Sequence, residues 1–295
     1  MHDKKLQIKE KLIGMVFGFC GMLSLLVTVG IVVVIFTETI GFFKEVSFFD
    51  FMFDTQWTPL FSSKRFGILP LLAGTFLVSA ISIIIAVPLG IAIAVLISQY
   101  FSKKIRGFLK PILEILAGIP TIVYGYFALL FITPFLQKII PSLSGFNALS
   151  PGIVMGVMIL PLVVSLSDDA ISAVSLETKM AAYALGSSKL QVIFRIVIPF
   201  SMSGIIAAII LAVSRAVGET MLVAIAAGMR PTLTLNPLIP IQTITSYIVQ
   251  VSLGDTPAGT LEYRSIFAVA SVLFVITFAF NIIAQKLRHS FKFKH

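Results

Sequence analysis

The chain has 295 residues, of which 58% are hydrophobic and 12% charged, and its mean hydropathy is +1.04. Soluble domains carry roughly 45–50% apolar and about 25% charged residues, so this chain has too few charges to cover a water-facing surface. The composition excludes an ordinary soluble enzyme, a disordered chain and a disulfide scaffold. It predicts an integral membrane protein.

Six apolar segments are long enough to cross a bilayer as helices, which takes about 20 residues each. They are 12–36, 68–97, 115–137, 148–167, 199–228 and 265–285. Only the segment 199–228 contains charged residues, Arg215 and Glu219. The first segment follows four lysines, as a signal peptide would, but it is too long for one and no small-residue cleavage site follows. We therefore expect an all-α, polytopic membrane protein whose first helix is an uncleaved anchor.

The 22 Lys and Arg residues exceed the 13 Asp and Glu residues, for a formal net charge of +9. In a soluble domain this excess would suggest nucleic-acid binding. With six spans, 15 of the cations share the side of both termini, six lie on the opposite side and Arg215 lies in the fifth span. The positive-inside rule then predicts that both termini are cytoplasmic, and nucleic acid is not an expected partner.

Residue types that carry covalent or metal chemistry are scarce. The single cysteine, Cys20, lies in the first span, where a buried hydrophobic role is expected, and the three histidines are close to the termini. No His, Cys, Asp or Glu cluster has the spacing of metal ligands. The segment 186–189 lacks the glycine and lysine spacing of a phosphate-binding loop, so we expect no ATP hydrolysis by this chain.

Glycine spacing in two spans predicts close helix contacts. Gly14, Gly18 and Gly21 lie in the first span, and Gly152 and Gly156 lie in the fourth. In the sequence before the third span, Glu114 is expected to be interfacial and solvated.

The segment 168–198 is the most polar stretch between two spans. Asp168 and Asp169 are expected at a helix N-terminus, where negative charge is favoured. A short alanine-rich helix then ends at Gly186, which can adopt the left-handed C-cap conformation. A second helical stretch starts at Ser187, and Pro199 is expected to open span five. The pattern predicts two short helices that form a projecting knob.

This segment resembles the coupling loop of ABC importer permeases. The matching positions are Ala181, Ala182, Gly186, Ile196, Ile198 and Pro199, in the family's spacing. Met180 stands where that family usually has glutamate. The resemblance implies that Met180, Ala181, Ala182, Gly186, Ile196 and Pro199 couple this chain to a separate ATP-hydrolysing subunit.

Arg215 and Glu219 lie four residues apart in span five, on one face of the expected helix. Charged residues are costly inside a membrane and commonly mark a substrate path. One interpretation is an intrahelical ion pair, although arginine before glutamate is the poorer order for it. The other is a polar path in which Arg215 binds a tetrahedral oxyanion and Glu219 holds Arg215 or accepts a hydrogen bond from a protonated anion.

The sequence SRAVGETM at positions 214–221 resembles the PstC-type subunit of phosphate ABC importer permeases. Two further stretches resemble the same subunit: Trp57 and Pro59 leading to FGILPLLAGT at 66–75, and GIPTIVYGY at 118–126. The resemblance runs from about Trp57 to the C-terminus. It implies a phosphate path through Arg215, Glu219, Gly218 and Thr220.

The resemblance further implies a type I importer (MetI-like) permease core in residues 67–295, with 168–198 as its coupling loop and 1–66 as a tail, first helix and outer loop. It implies a PstA-type second permease, a PstB-type ATPase dimer, a PstS-type phosphate-binding protein and membrane lipid as partners. No cofactor is expected in this chain, since ATP and magnesium belong to the ATPase. The expected location is the bacterial inner or plasma membrane.

Several alternatives stay open at this stage. The substrate could be another oxyanion such as sulfate or molybdate, and the chain could be an autonomous channel or secondary transporter, or a non-transporting scaffold. The phenylalanines of the outer loop 37–67 are expected to form a membrane-boundary belt rather than an amphipathic interfacial segment. Three prolines in 229–240 argue against a continuous helix, so that segment is either extended on the outer surface or partly re-entrant.

Overall fold

The computed structural model of the protein describes residues 2–254 and 256–292. Side chains are described for residues 10–102, 104–254 and 256–286, so the lysines at positions 4, 5 and 9 and the cations at 288–294 lie outside this description. Within these limits the chain is α-helical, with isolated backbone bridges and no strand.

The described part of the chain contains thirteen α-helices and two π-helical turns. The helices are α1 (His2–Phe43), α2 (Phe48–Phe53), α3 (Leu69–Gln99), α4 (Lys103–Gly118), α5 (Thr121–Phe127), α6 (Thr133–Gln137), α7 (Leu149–Ser172), α8 (Leu176–Ala184), α9 (Lys189–Val192), α10 (Ile198–Val217), α11 (Met221–Ala226), α12 (Ile244–Ser252) and α13 (Leu261–Lys292). The π-helical turns are Ala128–Ile132 and Ile193–Val197.

Five helical segments are long and apolar enough to span a membrane, and a sixth passes the same test only as a bent pair. The expected third span, 115–137, is broken, because the axis of 104–118 meets that of 121–137 at 83°. Ile119 and Pro120 are both extended, and proline lacks the N–H that would continue the helical ladder. The two parts of this segment therefore do not form one straight span.

The fifth span also differs from the expected segment 199–228. Its helix begins at Lys189, runs through the π-helical turn Ile193–Val197 and ends at Val217. Pro199 therefore lies inside a continuous helix and does not open it. The turn before Pro199 accommodates the missing donor, since Ile198 N–H bonds to the Ile193 carbonyl in the wider π pattern.

Helices α3 and α7 form the centre of the molecule, with α10 packed against both. Small residues allow the two central helices to approach closely. A Cβ on Gly152 would lie 2.7 Å from Ile81, and one on Gly156 would lie 3.1 Å from Ile85 and from the Ser82 carbonyl. The predicted role of these two glycines in helix packing is confirmed.

Helix α1 packs on α13, yet none of its most apolar stretch is buried within the chain. Gly14, Gly18 and Gly21 have no neighbour within 4 Å of an added Cβ, so the close contact predicted for them does not occur inside this chain. Cys20 is likewise exposed, not buried. The reason is the position of α1, which contacts the rest of the molecule through its later turns, as at Phe36 and Phe274.

The aromatic outer loop forms a buried cluster, contrary to the predicted belt. Phe42, Phe51, Trp57 and Tyr247 are at most 2% exposed, and the Trp57 and Tyr247 rings meet edge to face at 4.8 Å. These contacts tie the end of α1 and α2 to α12. Phe48, Phe49 and Phe53 remain exposed and are the part of the loop that fits the belt interpretation. Burial of large rings outweighs the interfacial preference where three elements converge.

Between α11 and α12 the chain forms no helix over 229–243, as the three prolines predicted, and a turn lies at 237–238. It packs against the start of α7, where the Pro237 carbonyl accepts hydrogen bonds from the N–H groups of Ala148 and Leu149 at 3.0 and 2.9 Å. Ile241 N–H bonds to the Ala227 carbonyl at 3.0 Å. The segment thus closes the end of the molecule that also holds α2 and α12.

Ion pairs and rings identify which segments share an end of the molecule. At one end, Arg106 on α4 pairs with Asp168 on α7, and Lys189 lies 3.9 Å above the Tyr100 ring. At the other end, Arg264 on α13 pairs with Glu45 after α1. The loops around 100–110 and 168–198 therefore lie together, and the loops 37–67 and 253–264 lie together, as the alternation of six spans predicted.

Candidate functional site

A cavity of about 320 Å³ lies where α3, α4, α7 and α10 converge. Apolar side chains of α3, α4 and α7 form most of its wall. The polar and charged side chains that line it are Lys110, Glu114, Ser165, Asp168 and Arg215. A mostly apolar cavity with a few convergent polar groups is the usual form of a site for a small ligand.

Arg215 reaches this cavity from the last turn of α10. Its side chain is exposed, and among the described residues it makes no side-chain hydrogen bond or ion pair. The C-terminal end of a helix favours a cation, since the last carbonyls carry partial negative charge. The arrangement leaves the guanidinium fork available for an anion of matching planar or tetrahedral geometry.

Glu219 lies on the far side of the break that ends α10. It is 7% exposed, and its Oε1 accepts the backbone N–H of Leu222 at 3.3 Å, at the start of α11. The Thr245 hydroxyl donates to the Glu219 carbonyl oxygen at 2.6 Å, which ties this turn to α12. The glutamate is thus held by backbone and hydroxyl groups and does not line the cavity.

The interpretation of Arg215 and Glu219 as an intrahelical pair is wrong, because the helix stops between them. Gly218 is the C-cap, with φ −88° and ψ 0°, and its N–H bonds to the Ser214 carbonyl at 3.2 Å. Thr220 follows as the residue before α11, and its hydroxyl donates to the Gly218 carbonyl at 3.2 Å. No salt bridge within 4.0 Å joins the two charges in the described structure.

A cluster of opposite charges fastens α4 to the end of α7. Asp168 is 1% exposed and accepts from Arg106 at 2.7 Å and Lys110 at 3.0 Å. Lys110 also reaches Asp169 at 3.1 Å, and Arg106 donates to the Ser172 hydroxyl at 2.7 Å. The prediction that Asp168 and Asp169 begin a helix is wrong. They lie in the last turns of α7, where two cations from α4 compensate the unfavourable helix end.

Sequence reasoning missed most of the cavity. Glu114 is exposed, as the sequence suggested, but the sequence did not indicate that it lines a cavity together with Arg215. The signal that could have shown this is the spacing of Arg106, Lys110 and Glu114, four residues apart on one helix face, opposite the acidic end of an apolar run. That face of α4 lies against α7 only because the chain bends at Pro120, and the sequence did not predict the bend.

The segment 176–192, here called the knob, comprises α8, a tight turn and α9. Ser175 caps α8 by accepting the Thr178 N–H at 3.2 Å, and Ser188 caps α9 in a reciprocal capping box with Gln191. Gly186 between the two helices has φ +80°, as the sequence predicted for a left-handed C-cap. Partial burial lowers the pKa of the Lys179 amine, since desolvation disfavours the charged form.

The knob is anchored on one face and exposed on the other. Ala182 is 5% exposed and packs in a cluster with residues of α3, α7 and α10, and Ile196 packs at its edge. Ala181 and Pro199 are exposed. The large apolar side chains left uncovered are Leu176, Met180, Tyr183, Leu185 and Leu190, together with Phe194 in the π-helical turn that follows the knob. Contiguous exposed apolar residues of this kind typically mark a protein–protein contact.

No group of three or more His, Cys, Asp or Glu residues that could hold a metal ion occurs among the described side chains. The cavity contains two cations and two carboxylates at its wall, together with the Ser165 hydroxyl. The donors and acceptors available there can bind and orient an ion. They offer no nucleophile with an adjacent base.

The fold and the site define a multi-pass α-helical membrane protein with an internal charged cavity and a knob beside the end of its central helices. Residues 86–292 match the family of binding-protein-dependent transport system inner membrane components. The chain belongs to this family.

Curated relatives cover most of the chain. The phosphate transport system permease protein PstC of Mesorhizobium japonicum is 34% identical over 266 residues, which cover 83% of this chain and 80% of the relative. PstC 1 of Mycobacterium tuberculosis is 31% identical and covers 75% of this chain and 71% of its own length. Bacillus subtilis YqgH, named as a probable ABC transporter permease protein, is 30% identical over 92% of this chain and 89% of its own.

Solved structures show the same fold at lower identity. A chain of the inward-facing MetNI methionine ABC transporter aligns with a TM-score of 0.55 and 16% identity, covering 76% of this chain and 94% of its own. A chain of a bacterial ABC transporter for alginate import aligns with a TM-score of 0.56 and 18% identity, covering 85% and 89%. The expected type I importer permease fold is confirmed.

Proposed function

We propose that the chain is the PstC-type permease subunit of an ATP-driven importer that moves inorganic phosphate into the cytoplasm. The observation that carries the proposal is the unpaired Arg215 guanidinium in the cavity where α3, α4, α7 and α10 converge, in a chain 34% identical to a PstC protein. Arg215 offers the anion several donors in a fixed geometry. The chain itself does no covalent chemistry.

In this proposal Arg215 makes direct contact with the passing phosphate. Glu219 and Thr220 fix the turn that follows α10, and Gly218 ends the helix so that Arg215 stands at its last turn. Glu219 and Thr220 therefore act on the phosphate path indirectly, because they fix the place where α10 ends. Alternating access exposes the Arg215 site to one side of the membrane at a time.

The knob is the proposed contact with a separate ATPase dimer of PstB type. Met180 and Leu185 present exposed apolar surface, and the Gly186 turn sets the angle between α8 and α9. ATP and magnesium are bound by that ATPase, so this chain needs no cofactor. Both termini and the knob lie on the cytoplasmic side of a bacterial cell membrane, in accord with the cations of the 100–110 and 168–198 segments.

The remaining partners follow from the same assembly. A PstA-type permease completes the path, and a PstS-type phosphate-binding protein delivers the anion to the end formed by α2, α12 and the 229–243 segment. Lipid contacts the uncovered apolar stretch of α1. The proposed coupling loop covers 168–198 in sequence, but its projecting part is the knob, since α7 continues to Ser172.

The test is uptake of labelled phosphate by cells or proteoliposomes that contain the complete assembly. Arg215→Gln should reduce uptake by about a hundredfold, since a lost charge-assisted contact at the transition between states costs roughly 2–3 kcal/mol. Lys138→Gln removes one exposed cation outside the cavity and should leave uptake unchanged. The ATPase should co-purify equally with both variants.

Normal uptake by Arg215→Gln would exclude the proposed path. Unlabelled sulfate or molybdate that competes as well as phosphate would exclude phosphate selectivity. Transport by the reconstituted chain without any ATPase would show an autonomous channel or secondary transporter instead.

A further inference from the structure

The cavity beside Arg215 contains a second cation, Lys110, that the PstC-like sequence motifs do not include. Lys110 and Glu114 reach the cavity from α4, one turn apart, while Asp168 and Ser165 reach it from α7. A volume of about 320 Å³ can hold a small oxyanion with several waters, since each water occupies about 30 Å³. The cavity therefore provides two cations for one anion.

Lys110 is the cation that can exchange its partner. Asp168 keeps Arg106 at 2.7 Å and lies 3.4 Å from the Ser172 hydroxyl, so its charge stays compensated when Lys110 moves away. The other partner, Asp169, has a side chain that is 63% exposed, and exposed ion pairs contribute little. Lys110 has a flexible four-carbon stem, so an anion in the cavity can replace a carboxylate as its partner.

Glu114 is the one of the two cavity carboxylates that has no ion-pair partner among the described side chains. Among the described side chains it has no hydrogen bond or ion pair, whereas Glu219 is buried against the start of α11. A carboxylate repels a fully ionised oxyanion but accepts a hydrogen bond from one that carries a proton. Hydrogen phosphate carries that proton near neutral pH, and sulfate does not.

We propose that Lys110 is a second phosphate-binding cation next to Arg215, and that Glu114 makes the cavity selective for a protonated oxyanion. This inference rests on the proposed function and extends it to two residues. When Arg215 binds phosphate, Lys110 leaves Asp168 and Asp169 and contacts the same anion. Glu114 accepts a hydrogen bond from the phosphate proton and excludes sulfate by charge repulsion.

The first experiment measures phosphate in the cavity without relying on transport. In the assembled importer, Cys20→Ser removes the only cysteine of this chain, and Ser165→Cys places a thiol on the cavity wall. Reaction with a small thiol reagent is followed by the mass of this chain, with and without saturating inorganic phosphate. Leu235→Cys, at an exposed site outside the cavity, is the control.

Inorganic phosphate should slow labelling of the cavity cysteine about tenfold and leave the control unchanged, since an occupied site excludes the reagent. Adding Lys110→Gln should abolish this protection, and Lys110→Arg should restore most of it. Lys104→Gln, an exposed lysine on the same helix outside the cavity, should preserve it. If Lys110 only held α4 against α7, phosphate would still slow the labelling of the cavity cysteine in Lys110→Gln.

The second experiment tests Glu114 by replacing phosphate with sulfate. Sulfate should not slow labelling when Glu114 is present, and it should do so about as well as phosphate in Glu114→Gln. Unchanged discrimination in Glu114→Gln would overturn the role of Glu114, and protection that survives Lys110→Gln would overturn that of Lys110. If sulfate protects the unaltered cavity and phosphate does not, the proposed phosphate function fails, while an oxyanion site in the cavity stands.

Discussion

Arg215 carries a full charge at the end of a helix, in a cavity, without a partner among the described side chains. Placing an arginine near the membrane centre costs about 2.5–3.5 kcal/mol on insertion scales. The helix C-terminus offsets about 0.3–1 kcal/mol of this. Local stabilisation therefore does not account for the residue, whereas the proposed binding of a transported anion does.

Gly186 is a second position at which one residue determines a local shape. Its φ of +80° is left-handed, and no atom lies within 4 Å of an added Cβ, so a substitution meets strain without a clash. Gly186→Ala should destabilise the turn by about 1–2 kcal/mol and weaken ATPase binding by about tenfold.

ATPase co-purification at graded concentrations measures this effect. Gly145→Ala is the matched control, since Gly145 also has open space around its Cβ position and does not have a positive φ. Equal ATPase affinity for both variants would contradict the proposed role of the turn.

At the scale of elements, two breaks and one close contact determine the cavity. The break at Pro120 turns α4 toward α7, and the break at Gly218 leaves Arg215 on the last turn of α10. The contact of α3 with α7 through Gly152 and Gly156 holds the wall between them. The cavity therefore forms where helices α4 and α10 end, and the closely packed pair α3 and α7 supports its wall.

Gly152→Val should disturb that central pair, because the Cβ of the new side chain would lie only 2.7 Å from Ile81. Overpacking of this kind costs roughly 1–3 kcal/mol, which should lower the thermal midpoint of the chain in detergent by several degrees. Gly14→Val, on the uncovered surface of α1, should leave the midpoint within about one degree. A smaller effect at Gly152 than at Gly14 would be inconsistent with this packing.

At the scale of the whole molecule, the two ends differ in chemistry. One end presents the knob, with Leu185 88% exposed, and the other presents the 229–243 segment, with Leu235 80% exposed. Similar exposure at opposite ends gives a matched pair of sites for testing which end meets the ATPase.

Leu185→Asp should abolish ATPase co-purification and phosphate uptake, since a carboxylate at the centre of an apolar interface remains desolvated and unpaired. Leu235→Asp should retain the ATPase in full. Loss of the ATPase from the Leu235 variant alone would reverse the proposed orientation of the chain in the membrane.

The sequence predicted the membrane class, most spans and the left-handed Gly186, since these depend on local composition and spacing. The grouping of segments by end was also predictable from the number of spans. The breaks at Pro120 and Gly218 were not, because proline and glycine are tolerated within spans when neighbours satisfy the backbone. Glu219 was placed in the wrong helical context for that reason. Asp168 was placed wrongly because α7 continues to Ser172, beyond its apolar run. The cavity that joins Glu114 to Arg215 depends on tertiary packing.

Helix α1 has a consequence for the order of events during synthesis. The long helix on which it packs is α13, and the nearby Arg264 to Glu45 pair joins residues 219 positions apart. At ribosomal speeds of roughly 5–20 residues per second, α1 waits about 10–45 s in the bilayer before that partner is made. During this interval its apolar surface is covered by lipid or by another newly inserted helix, so the insertion machinery and the timing of translation bear on whether the first and last helices meet.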